Sequence, residues 1–108
     1  MEILSEKGRK ISIDGNTYYL KCSLNTLNKL NELADGDIGN FAINSSNLSI
    51  ILSWMINEYI DEYNISHEDK LKYVTVEFLN LKITNKYAQD VIKFILACMK
   101  GDYEEKNF

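Results

Sequence analysis

The chain has no proline, one histidine, one tryptophan, five glycines and only two cysteines, Cys22 and Cys98, which stand far apart. Each scarcity excludes something. Without proline and with so little glycine there is no flexible linker, and 108 residues hold one domain with a modest core and no room for a second. Nucleophilic catalysis usually needs a base beside its nucleophile, and the solitary His67 falls in the first turn of a predicted helix, where it reads as a solvated surface residue. The cysteines lie in apolar surroundings, without metal-like spacing or a secretory signal ahead of them, so free, core-packed thiols are expected. No run approaches the roughly 18 apolar residues of a membrane span. The start, Met1 to Gly8, lacks the basic opening and apolar stretch of an export signal. The expectation is a cytoplasmic protein that does not bind membranes.

Positive charge is also short: 12 basic residues face 16 acidic ones, a formal net charge of −4. Nucleic-acid binders draw most of their affinity from clustered Lys and Arg, so nucleic acid is not an expected partner. A Gly-rich phosphate loop, a dinucleotide fingerprint and Cys/His metal spacing are all missing, which leaves no cofactor and no metal to expect. The frequent Asn, Ile and Lys fit an AT-rich genome and form no low-complexity block.

Local patterns carry more. Residues 9–22 alternate around Asp14-Gly15-Asn16, where Gly and Asn accept the positive φ of a tight turn, so a β-hairpin is predicted. Ile11 and Ile13 share one face with Tyr18 and Leu20 of the returning strand. Ser23 is placed to cap a helix over 23–35 with apolar positions Leu24, Leu27, Leu30 and Leu33 or Ala34, and Gly36 as a left-handed stop. A polar loop with Gly39, Asn44, Ser45 and Ser46 precedes a second helix over 47–63, apolar at 48, 51, 52, 55, 56, 59, 60 and 63. Ser66 with Asp69 resembles a capping box for a third helix over 66–81, although Tyr73, Val76 and Leu79 fall off its stripe and Thr75 is an alternative cap. Thr84 or Asn85 opens a last helix over 85–100, which Gly101 ends before a frayed tail. Strands gathered before helices predict an α+β domain, an N-terminal hairpin or small antiparallel sheet with four helices packed on it.

Candidate chemistry is thin. Asp35-Gly-Asp-Ile-Gly39 invites a calcium reading, but the fifth and twelfth positions of such a loop fall on Gly39 and Ser46, which excludes an EF-hand. Glu58, Asp61, Glu62, Glu68 and Asp69 lie on faces opposite the apolar stripes and read as solvated helix surface, so no catalytic residue is assigned. Ile50 and Trp54 break the pattern. At about 100° per residue they project together, one turn apart, on the side of the second helix away from its stripe, alongside Asn57 and Asp61. Tryptophan is enriched at interface hot spots, which marks the pair as a candidate partner-binding patch. On the last helix the apolar arc reaches roughly 160° once Leu96 is included, wider than one core contact fills. Such a helix is expected to be central in the domain or, alternatively, to pack against a second subunit, which adds Leu96 to the candidates; for Ile50 and Trp54 the alternative is that another element covers them.

The run Ile11-Ser-Ile-Asp-Gly-Asn-Thr-Tyr-Tyr-Leu-Lys-Cys-Ser-Leu-Asn-Thr-Leu27 resembles the opening of tail assembly chaperones of long-tailed bacteriophages, with their pattern I-x-I-D-G-x-x-Y-x-L-x-x-S-x-x-x-L. Thr26 stands where many of those proteins have Ala or another small residue. The resemblance implies a hairpin followed by several helices over most of the chain. It also implies a non-enzymatic helper that coats the tape measure protein, recruits tail tube subunits and oligomerises along its client. Such chaperones commonly occur as a short and a frameshift-extended product, and Glu105-Lys-Asn-Phe108 permits a codon choice with an A-rich slippery heptamer. A phage or prophage of a low-GC bacterium is the source this implies. The competing expectation is a small acidic regulator, antitoxin-like or inhibitory, that occupies a basic site on one partner.

Overall fold

The computed structural model describes residues 9–36 and 42–100. Its order is β1 (Arg9–Ile13), β2 (Asn16–Leu20), α1 (Leu24–Leu33), α2 (Ser45–Ser66), α3 (Val76–Lys82) and α4 (Asn85–Lys100), an α+β fold. β1 and β2 pair antiparallel, with Ile11 opposite Tyr18 and Ile13 opposite Asn16. The two-residue turn takes positive φ at Asp14 (54°) and Gly15 (86°), the signature of a hairpin turn whose twist matches its strands. Asn16, expected to share that role, is instead the first paired residue of β2. Ile11, Ile13, Tyr18 and Leu20 are buried on one face, as their alternation predicts.

α2 is the axis of the molecule. Asn44 caps it through a reciprocal pair: its side chain accepts from the Ser46 and Asn47 N–H groups, and Asn47 returns a bond to the Asn44 N–H. Leu48, Ile51, Leu52, Met55, Ile56 and Ile60 form its buried stripe against the hairpin. α1 is capped by Ser23, which accepts from Thr26 N–H at 3.0 Å, and ends with Asp35 and Gly36 at positive φ. Its inward face is Thr26, Leu27, Leu30 and Ala34; Leu24, expected to be inside, is left in solvent.

The third helix differs from expectation. It spans only Val76–Lys82 and is capped by Thr75, whose hydroxyl accepts from Phe78 N–H at 3.0 Å, while Ser66 is the last residue of α2. Two asparagines of α2 explain why the chain from 67 to 75 stays non-helical. The Asn64 amide accepts from Leu71 N–H (2.8 Å) and donates to the Leu71 carbonyl (3.1 Å), and the Asn57 amide does the same for Val74 at the same distances. Backbone groups satisfied this way have no need of a helix. Lys70 adds bonds to the carbonyls of Asn64 and His67, closing the end of α2.

The cysteines also differ. Cys22 and Cys98 form a disulfide with Cα atoms 5.7 Å apart, joining the exit of the hairpin to the last turns of α4 across 76 residues. Free thiols were expected because their separation in sequence says nothing of their separation in space. Gly39, Gly101 and residues 102–108 lie outside the described residues.

Candidate functional site

The acidic residues are less available than their helix faces suggest. Glu58, expected to be solvated, is half-buried and accepts from the Ser23 hydroxyl (2.7 Å), the Thr26 hydroxyl (3.2 Å) and the Asn25 amide (3.2 Å), tying the start of α1 to α2. Glu62 pairs with Lys21 at 2.6 Å. Asp61 accepts from the Tyr73 hydroxyl, and Asp69 from the Tyr63 hydroxyl at 2.9 Å. These bonds hold both phenols above the ordinary tyrosine range, since ionisation would place two negative charges together. His67 is exposed and stacks on Tyr63 with ring centroids 3.7 Å apart. Tyr63 continues through Tyr59 to Tyr18 and Tyr19, an aromatic series from α2 to the hairpin. Among the described residues no group of three or more His, Cys, Asp or Glu could hold a metal ion.

Ile50, Trp54 and Leu96 are all half-buried, on two different helices. Trp54 is partly covered by α1: it packs against the core, the Lys29 ammonium lies 5.7 Å from its ring centre, and Lys29, Glu32, Leu33 and Trp54 line an open depression. Ile50 and Leu96 lie outside the half-buried group that packs on the core. On α1, α2 and α3 respectively, Leu24, Ile65 and Leu81 expose 78, 85 and 83% of their surfaces.

No protein-family model matches the chain, and neither a curated protein nor a solved structure is similar to it. The candidate site therefore rests on this chain's own geometry. One part of that geometry escaped the sequence reading. A cleft of 470 Å³ opens where the start of α2, the end of α3 and the first half of α4 meet, floored by Ile43, Leu48, Leu79, Ile83, Ala88 and Ile92. Ile43 and Leu48 occupy the positions just before the cap and four residues into α2. Ile83 and Ala88 do the same for α4, whose Thr84 carbonyl accepts from Ala88 N–H at 2.8 Å. This is the spacing of a hydrophobic staple, used twice. An apolar residue just before each helix start, with another five residues later, was the available signal. No helix among the described residues is long and apolar enough to cross a membrane.

Proposed function

We propose that the chain acts by binding protein and not by catalysis, as a tail assembly chaperone of a phage or prophage in the bacterial host cytoplasm. Its client on this reading is the tape measure protein, to which it helps recruit tail tube subunits. The observation that supports it best is the placement of apolar surface: Leu24, Ile65 and Leu81 stand in solvent, and Ile50, Trp54 and Leu96 are only half covered. Apolar side chains left open on several helices suit shielding of an apolar client by many weak contacts. The hairpin pattern from Ile11 to Leu27 supports the family reading, and of the apolar residues that the pattern specifies Ile11, Ile13, Tyr18 and Leu20 are buried and Leu27 is half-buried. Thr26, the departure from that pattern, uses its hydroxyl on Glu58. A reducing cytoplasm would keep Cys22 and Cys98 as facing thiols.

The acidic-regulator reading loses ground because Glu58, Asp61, Glu62 and Asp69 are already hydrogen-bonded within the chain. Salt separates the two. Co-expression with the adjacent long helical gene product, pull-down and mass measurement should capture several copies per client at both low and high salt, because apolar contacts are not screened. Ile50→Ser should weaken capture while the melting temperature stays put. Capture lost at high salt would favour the regulator, and absence of capture at any salt would remove the chaperone reading.

A further inference from the structure

The cleft between the two staples has an unusual lining for a protein in which 26% of residues are charged. Its apolar floor also holds the buried Ser49 and is rimmed by Asn44, Asn80, Thr84, Asn85 and Gln89, so among the described residues no charged side chain lines it. From Ala88 and Ile92 a half-buried apolar stripe continues along α4 through Leu96 and Met99. The spacing of those four residues keeps them on one side of the helix over about 16 Å.

We infer that this groove, continued by the α4 stripe, is the seat for an amphipathic α-helix of the client whose contact face carries aliphatic and small uncharged residues. Three features select that occupant. The walls are side chains of three helices and of the residues just before α2 and α4, with no strand among them, so an extended segment would find no ladder of backbone partners, whereas a straight apolar stripe accepts a helix by ridge-and-groove packing. Among the described residues that line the groove there is no carboxylate or ammonium to pair with a charge, so a client Lys or Glu buried against them would lose its water uncompensated. Asn44 is engaged in the α2 cap and Ser49 donates to Asn80, but the exposed side chains of Thr84, Asn85 and Gln89 can exchange hydrogen bonds with Ser, Thr, Asn or Gln flanking an aliphatic ridge. The inference rests on the client-binding reading for its partner being a protein, and adds where that partner sits and which chemistry it must show.

Gln89 is exposed at the rim of the groove, and Gln89→Lys introduces a charge there without removing apolar packing. The test uses the full chain and a synthetic amphipathic helix with an Ala/Leu/Ser contact face, read by the dissociation constant and by backbone amide shifts. Binding should move the signals of Ile83, Ala88, Ile92 and Leu96 and leave the emission of Trp54, the only tryptophan, unchanged. Gln89→Lys should weaken binding about tenfold, and so should a Lys in the peptide's contact face. A Glu in that face should restore affinity to the Gln89→Lys chain, which a merely unfolded variant cannot do. Shifts centred on Ile50 and Trp54, or no loss with Gln89→Lys, would overturn the groove assignment while leaving client capture, and with it the chaperone reading, intact. Absence of peptide binding alongside successful client capture would likewise overturn the groove alone. Failure of both would remove both.

Discussion

Tyr87 does unusual work for a single side chain. Its hydroxyl accepts from Ser12 N–H at 3.1 Å and donates to the Ser12 carbonyl at 2.9 Å, closing part of the outer edge of β1 to any other strand. Tyr87→Phe removes both bonds and should cost about 1–3 kcal/mol in urea denaturation, with increased self-association at high concentration as a second readout. Burial raises the Tyr87 phenol above the ordinary tyrosine range, and burial likewise raises Tyr18 and Tyr59. A raised folded-state value means the folded state holds its protons longer, so stability should be unchanged up to about pH 10 and fall above it. Melting temperatures followed with phenolate absorbance across that range check the sign. Glu58 belongs at this scale too. Glu58→Ala strands the hydroxyls of Ser23 and Thr26 and should lower stability by about 1–3 kcal/mol, where Glu68→Ala, an exposed position, should do nearly nothing.

The starts of α1 and α4 were legible because a cap is a local device: Ser23 needs only the Thr26 N–H three residues ahead. The stretch 66–81 was misread because a polar residue followed by an acid imitates a cap, while the groups that keep 67–75 from being helical, Asn57 and Asn64, come from the preceding helix. A long-range amide clamp leaves no periodicity to find. Thr75→Ala should cost about 1 kcal/mol and Ser66→Ala should be silent, since Thr75 alone caps α3. Equal losses at the two sites, measured by chemical denaturation, would contradict the short α3. The candidate site divides the same way. Ile50 and Trp54 were visible as an off-stripe pair, whereas the partial cover of Trp54 by Lys29 and Leu33 depends on how α1 docks.

In the whole molecule, the disulfide ties the two ends of the described fold together. Closing a loop of 76 residues restricts the unfolded chain, so reduction, or Cys22→Ser, should lower stability by about 2–4 kcal/mol in denaturant titrations of oxidised protein. A shift of that size on adding reductant, and none for the Cys22→Ser chain, would assign it to this bond. The hairpin and its inward face, the capped α1, the long stripe of α2 and the span of α4 follow from the order of residues alone. Each rests on contacts within a few residues, where spacing and turn chemistry suffice. The Cys22–Cys98 pairing, the Asn57 and Asn64 clamps, the engagement of Glu58 and the groove between the two staples come from packing. These depend on residues far apart in the chain, whose meeting is set by how elements pack and not by any local pattern.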